Sequence, residues 1–481
     1  MDTSSATLSF GIISPEIALL AAAMVILLAG NFIRNTALVA YLAITGLVIG
    51  MALAIGQWNQ PQTGFFGMVT VDNFSVMFNI IFITASIITI LMARSYLISR
   101  GIDRFEFYAL ILFSSVGMMI MASSADLIVI FLGLEIMSIP LYVMAGLANH
   151  DPESNEASIK YFMMGAFATG FLLYGIALVF GAAETTDLRR IVTDFDFIMM
   201  KSKMFMLPGI FMILIGFGFK VAAVPFHMWV PDVYQGAPTP VTGFFSVAPK
   251  AAGFAALLRI FVYGFPAAEG LTWILWILAV LTMGVGNLLA IFQDNIKRML
   301  AYSSIAHAGY ILVALTSGGD GAVSSAIFYL LAYTFFNLGG FTIVSMIDSR
   351  TGSQATIAEI RGLSSRYPFL AAILALFMFA LAGFPPTAGF FGKFFIFSEA
   401  VKNNYIWLVI IAVINSFVSV FYYLRVVVAA YFGKAEREFS PVTYQPALVL
   451  VLLITTIGTL VMGLFPQYWL QLTRLCSFPF I

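Results

Sequence analysis

The chain has 481 residues, of which 61% are hydrophobic, 15% aromatic and only 10% charged. Soluble domains carry about 25% charge, so this composition excludes a soluble metabolic enzyme, a secreted enzyme and a nucleic-acid-binding protein. Lys+Arg 23 balance Asp+Glu 23, so no global field steers a partner and only the placement of charges is informative. The expected class is an all-α polytopic membrane protein with the lipid bilayer as its surroundings.

A helix needs about 20 apolar residues to cross roughly 30 Å of hydrocarbon. Met1-Asp2 is acidic and the first basic residue, Arg34, follows the first apolar run, the reverse of a cleavable signal. Apolar runs between charged or Gly/Pro-rich breaks give fourteen expected transmembrane helices. They lie near 14–32, 37–56, 73–93, 105–123, 126–147, 158–181, 206–229, 241–263, 271–291, 299–317, 324–347, 369–398, 405–432 and 445–469. Connections after odd-numbered spans hold twelve Lys/Arg, among them Arg94, Arg100, Arg104, Lys297, Arg298, Arg350, Arg361, Arg366, Lys434 and Arg437, against six on the other side. Four of those six, Arg189, Arg190, Lys201 and Lys203, fall in one long loop between spans 6 and 7. The positive-inside rule then puts the odd connections in the cytoplasm and both termini outside.

The spacing of the spans suggests a long repeat. Span 4 begins about 166 residues before span 9, the same offset separates spans 6 and 11, and about 164 residues separate spans 8 and 13. Spans 7 and 12 are each interrupted by proline and each carry a lysine: Lys220 before Pro225, and Lys393 after Pro385-Pro386. Five helices is an odd number, so a second copy of the unit lies inverted in the membrane, a pattern typical of transporters. The expected organisation is a three-helix segment (1–104), a first five-helix repeat (105–263), a second, inverted one (264–432) and a last helix (433–481).

An ionisable group at the bilayer centre costs roughly 2.5–3.5 kcal/mol on insertion scales, so such residues are paired, hydrated or functional. Glu135 stands nine residues after Asp126, about 13 Å along a helix and near mid-membrane. It is a proton-handling carboxylate or the counter-charge of a buried lysine; a helix-packing role is the plain alternative. Lys220 sits beside a proline break, where burial and a nearby glutamate would pull its proton affinity in opposite directions. Arginine could not titrate there, and a snorkelling stem suits a helix end better. Lys250 and Lys393 are the other two deep lysines, while Arg259 and Arg425, nearer span ends, read as structural anchors.

His227 and His307 are of a type that titrates near neutral pH and suits a relay, although a packing histidine is equally ordinary. Glu156 and Lys160 form an i,i+4 pair at the start of span 6, either a solvated helix start or a proton mouth. Cys476 is the only cysteine and the three histidines are far apart in sequence. No metal, cluster or dinucleotide motif is expected in this chain.

The stretch KVAAVPFHMWVPDVYQGAPTPVTGFFSVAPKAA, with GLEIMSIPLYVMAGL, NIKRMLAYSSIAHAGYILVAL and AGFPPTAGFFGKFFIFSEA, closely resembles the antiporter-like membrane subunits of respiratory complex I. The resemblance runs over spans 4 to 13. It implies inverted five-helix repeats with discontinuous helices 7 and 12, which the offsets suggest independently. By motif, Glu135 matches the family's helix-5 glutamate, Lys220 its paired helix-7 lysine, Lys250 the central helix-8 lysine and Lys393 the helix-12 residue toward the exit. M-type members usually have glutamate at that last position, and L-type members carry a long lateral helix, so with an end at Ile481 the N type is the expected match.

The function implied is proton translocation across the bacterial inner membrane, driven by quinone chemistry elsewhere. NADH, FMN, iron–sulfur clusters and quinone would be bound by other subunits, with K- and M-type subunits as neighbours. A proton would be taken up near Lys160 or His227, charge Lys220, pass Lys250 and His307, and leave by Lys393. Two other readings remain: a subunit of a sodium/proton antiporter or membrane hydrogenase sharing these motifs, and an assembly subunit that pumps nothing.

Overall fold

The computed structural model describes residues 9–33, 35–265, 270–351, 355–434 and 445–476, without side chains for 349–351. Arg34 and Arg437 lie outside the described residues, as does the Arg350 side chain. In chain order the helices are α1 (Ser14–Gly30), α2 (Thr36–Gly56), α3 (Asn73–Ser99), α4 (Phe105–Ser123), α5 (Leu127–Ala145), α6 (Pro152–Ala183), α7 (Leu188–Thr193), α8 (Phe195–Val221), α9 (Trp229–Gly236) and α10 (Thr239–Leu257). They continue with α11 (Leu271–Ile291), α12 (Ile296–Ser317), α13 (Gly319–Thr351), α14 (Leu363–Arg366), α15 (Pro368–Ala382), α16 (Ala388–Lys402), α17 (Ile406–Phe432), α18 (Pro446–Leu464) and α19 (Pro466–Arg474). A short antiparallel hairpin, β1 (Gln62–Gly64) with β2 (Val69–Val71), joins α2 to α3, and nothing in the hydropathy pattern announced it.

Twelve helices among the described residues are long and apolar enough to cross a membrane. The chain is therefore a multi-pass, almost wholly helical membrane protein, as expected. Two expected spans take another form: α1 has 17 residues, and the run 369–398 is two helices, α15 and α16. The expected span at 206–229 stops as a helix at Val221, because Pro225 has no N–H to give and biases the residue before it away from helix. The connection between spans 6 and 7 is not a loop. It holds α7 and the first turns of α8, which is kinked at a non-helical Ser202.

Burial divides the helices into an inner and an outer set. The membrane-spanning part of α12 is buried on every side, and α10 and α13 nearly so, whereas α2, α6 and α17 turn broad apolar faces outward. Outward residues include Phe167 on α6 and Phe417 on α17, as lipid-facing surface requires. The polar residues of the three inner helices therefore cannot be solvated from outside; they must find partners within the bundle.

Close helix contact rests on small residues, because lipid offers no hydrophobic drive for helices to associate. A Cβ at Gly175 on α6 would lie 2.8 Å from the Gly209 carbonyl on α8, and one at Gly209 would lie 2.9 Å from the Gly175 carbonyl. The two backbones touch only because neither residue has a side chain.

One buried ion pair locks the end of the bundle opposite the connections richest in basic residues. Asp72 caps α3 in a reciprocal box with Ser75, and its two oxygens accept from Arg259 Nη2 at 2.9 and 3.0 Å. Arg259 also donates Nε to Ala122 O at 2.6 Å and lies in a π-helical segment that continues α10. Both side chains are essentially inaccessible, which bears out the anchor role read for Arg259. Removing one partner from such a pair costs about 3–5 kcal/mol. Asp72→Ala should thus lower the thermal unfolding midpoint of the detergent-purified protein markedly; an unchanged midpoint would refute the anchor.

Candidate functional site

The site grows out of two interrupted helices. At the end of α8, Ala222 adopts a left-handed conformation (φ 63°), and the Ala222 and Ala223 amides bond back to Phe219 and Gly218 carbonyls. The indole of Trp229, at the start of α9, donates to Phe219 O at 3.1 Å. Val224 N donates to Thr282 Oγ1 on α11 at 2.9 Å. The broken backbone is therefore satisfied inside the protein, as membrane depth demands.

Lys220, in the last turn of α8, is 4% exposed. Its Nζ donates to Ser138 Oγ at 2.7 Å and approaches Tyr142 Oη at 3.3 Å. It also sits 5.1 Å and 5.5 Å from the ring centres of Tyr142 and Tyr161. Ser138 and Tyr142 are one turn apart on α5, so one face of that helix receives the lysine. Glu135, one turn earlier, is only partly buried and accepts from Thr169 Oγ1 on α6 at 2.9 Å. Glu135 and Lys220 thus sit in the same neighbourhood without an ion pair at contact distance.

Lys250 follows Pro249 in the interior of α10. Its Nζ donates to Ser304 Oγ at 2.5 Å and Ser304 O at 3.1 Å on α12, and lies 5.8 Å from the Tyr234 ring centre. His307 is three residues beyond Ser304 on the same helix. Its Nε2 pairs with Tyr423 Oη at 3.0 Å and its Nδ1 with Tyr329 Oη; Tyr423 also pairs with Ser303.

Lys393 lies in α16, just past the second break. Its Nζ donates to Leu381 O (3.3 Å), Ala382 O (3.0 Å) and Ser416 Oγ (3.0 Å), and sits 4.8 Å over the Tyr310 ring. The two carbonyls are orphans at the end of α15, so the lysine closes the broken helix as well as occupying the site. Among the described residues, none of the three deep lysines has a carboxylate in contact. Hydroxyls, carbonyls and aromatic faces hold all three.

The peripheral residues fall at one end of the bundle. Lys160 bridges Glu156 at 2.5 Å and Asp232 at 2.9 Å, and Arg298 reaches the other oxygen of Asp232 at 2.7 Å. Asp232 therefore joins α6, α9 and α12, a role that sequence reading missed although the residue stands seven positions from Pro225. His227 is half-buried beside the first break, and its Nδ1 makes no hydrogen bond. Also missed were the receiving groups Ser138, Tyr142, Ser304, Tyr329, Tyr423 and Ser416. Ordinary serines and tyrosines in apolar runs give no signal of which helix will face them. Arg425 donates to the Ile291 and Gln293 carbonyls and to Asp294, in keeping with an anchor. No group of three or more metal-ligating residues occurs among the described residues.

A multi-pass helical bundle with two interrupted helices and a buried row of lysines defines the antiporter-like class of membrane subunits. Residues 124–419 match the family model described as NADH:quinone oxidoreductase/Mrp antiporter, TM. NADH-quinone oxidoreductase subunit N of Trichlorobacter lovleyi is 46% identical, covering 97% of each chain. Subunit N 2 of Rhizobium meliloti is 40% identical over 99% of each. Among solved structures, a chain of respiratory complex I from Thermus thermophilus superimposes with TM-score 0.82 at 33% identity, over 95% of this chain and 98% of that one. A chain of an archaeal membrane-bound sulfane sulfur reductase superimposes with TM-score 0.87 at 25% identity, over 97% of each. The chain belongs to the NADH-quinone oxidoreductase subunit N family.

Gly383 lies at the second break with φ 89°, and a Cβ there would meet Lys393 Cδ at 3.2 Å and Nζ at 3.3 Å. Gly383→Ala should cost about 1–2 kcal/mol from the left-handed backbone alone, with added displacement of the lysine. Gly170 on α6 has open space around it, so Gly170→Ala is the neutral control. Equal thermal midpoints for the two variants would contradict this account.

Proposed function

We propose that this chain is a proton-translocating subunit of a bacterial NADH–quinone oxidoreductase, carrying protons from cytoplasm to periplasm while quinone is reduced in other subunits. The supporting observation is that Lys220, Lys250 and Lys393 are each buried against neutral oxygens only. A charged ammonium without a counter-ion is costly at that depth, so each lysine can change charge for a modest shift in its surroundings. The face bearing Lys160, Asp232 and Arg298 is taken as cytoplasmic, with both termini periplasmic and α4–α10 and α11–α17 as inverted repeats.

In this reading a proton taken up near Lys160 or His227 reaches Lys220 and moves through water to Lys250. His307, hydrogen-bonded between two tyrosines, lies between Lys250 and the outlet at Lys393. Glu135 acts as the switch. While it rests on Thr169 it leaves Lys220 without a counter-charge, and a swing toward Lys220 would hold the proton there. Outward movement of one charge costs about 2.3 kcal/mol per 100 mV, so the two ends must not open together. Redox cofactors would sit in other subunits of the complex, with K- and M-type subunits adjacent.

The family model is shared with the Mrp antiporters, which keeps sodium/proton exchange as a second reading. Near-full-length identity to subunit N relatives favours the respiratory one. Inverted membrane vesicles carrying Lys220→Ala test the choice, with assembly checked on a native gel. NADH-driven acidification and quinone reduction should both fall. Normal NADH-driven pumping with lost sodium/proton exchange would replace this reading by the antiporter, and unchanged pumping with no exchange defect would leave an assembly subunit. Lys220→Arg should fail as Ala does, because arginine holds its proton. Lys393→Ala should depress transfer, and near-normal pumping would remove it from the path. Thr169→Val, which frees Glu135, should alter pumping without loss of assembly.

A further inference from the structure

Next to the Lys160–Asp232–Arg298 cluster lies a separate cavity of about 520 Å³, walled by Arg100, His150, Glu153, Gln235, Lys297 and Asp348 among others. Its walls come from helix ends and connections gathered on one face, those that follow spans 3, 5, 7, 9 and 11. The volume is large against the roughly 30 Å³ that one water occupies in the liquid, and the lining is rich in charge.

Lys297 forms the deep wall. It is 5% exposed, and among the described residues its one hydrogen bond runs from Nζ to Ala237 O at 2.7 Å. The buried carboxylate on the same cavity wall is already engaged: Asp348 accepts from Arg100 at 2.9 Å, from Tyr96 Oη at 3.0 Å and from Thr239. Asp348, Arg100, Glu153 and Asp151 are the charged groups facing Lys297, and none is in contact with it. Lys297 therefore resembles Lys220, Lys250 and Lys393: a buried ammonium held by a neutral oxygen, with donors to spare.

Its place on α12 gives that likeness a direction. Ser304 is seven residues further on, which is two turns along the same helix face and about 10.5 Å. Ser304 supplies both oxygens that hold Lys250. Tyr234, whose buried hydroxyl neighbours Ser304, lies under Lys250 and one turn before Ala237, the residue that holds Lys297.

We propose that this cavity is a second proton inlet, serving Lys250 through Lys297 and bypassing Lys220. The inference rests on the pumping function proposed above. Two inlets converging on the central lysine let Lys250 reload while Lys220 is held by Glu135, so one switch need not gate every proton.

The test uses the assembled complex in inverted vesicles. Lys297→Met should depress NADH-driven acidification. Lys297→Arg keeps the charge and the bond to Ala237 O but cannot release a proton, so it should be as impaired as Met. Recovery of pumping with Arg would reduce Lys297 to an anchor and overturn the proposal. Ala148→Cys, on the cavity wall, should be labelled by a water-soluble thiosulfonate added to the exposed cytoplasmic face and should lose pumping on labelling. The native Cys476 is buried and gives little background. Absence of labelling, or labelling without effect, would overturn the inlet. Lys250→Ala run in parallel separates the two failures. If it pumps normally the function itself is wrong; if it fails while Lys297→Met pumps normally, only the second inlet is wrong.

Discussion

An ammonium group has three N–H donors and no acceptor, and at membrane depth the lipid offers it no oxygen. That constraint organises the inner half of this molecule. Lys220 takes a serine and a tyrosine from α5, Lys250 takes a serine hydroxyl and carbonyl from α12, and Lys393 takes two carbonyls from α15 and a serine from α17. Each lysine thereby ties its helix to different neighbours: α8 to α5, α10 to α12, and α16 to α15 and α17. The choice of neutral partners matters chemically. A carboxylate in contact would fix the charge on lysine, whereas a hydroxyl accepts or gives a hydrogen bond in either protonation state.

The two helix breaks serve the same constraint from the backbone side. An interrupted helix leaves carbonyls and amides that lipid cannot satisfy. At the first break a tryptophan side chain returns to close Phe219 O, and at the second a lysine closes Leu381 O and Ala382 O. The difference is instructive. Lys220 stands before its break and is free to face α5, while Lys393 stands after its break and is committed to the carbonyls it caps. Lys393 is thus the more tightly positioned of the two.

The ends of the bundle are held in contrasting ways. At one end the pair of Arg259 with Asp72 is sealed from solvent and fixes α3 against the end of α10, beside the more exposed pairs Arg189–Asp187, Lys201–Glu184 and Lys402–Glu399. At the other, partly exposed charges form the chain Glu156–Lys160–Asp232–Arg298, while Arg100 pairs with the buried Asp348. The exposed pairs of that chain are individually weak and can open without unfolding anything.

The sequence by itself determined the class, the positions of nearly all the spans and the residues of interest. Length and hydropathy of a membrane helix are local properties, and a lysine in an apolar run is conspicuous wherever it points. Proline at 225 and at 385–386 marked both breaks for the same reason. Tertiary structure alone decided what each charge touches. Glu135 and Lys220 are both legible from sequence, yet the side chain that holds the glutamate is Thr169, brought from another helix by the packing of α5 on α6. Asp232, Asp348 and the cavity before Lys297 depend on five connections converging at one face. The backbone contact of Gly175 with Gly209 and the hairpin after α2 were equally hidden, since partner choice between helices depends on side chains distant in sequence. Hydropathy fixes which residues enter the membrane; the need of each buried polar group for an oxygen or a donor fixes how they are arranged there.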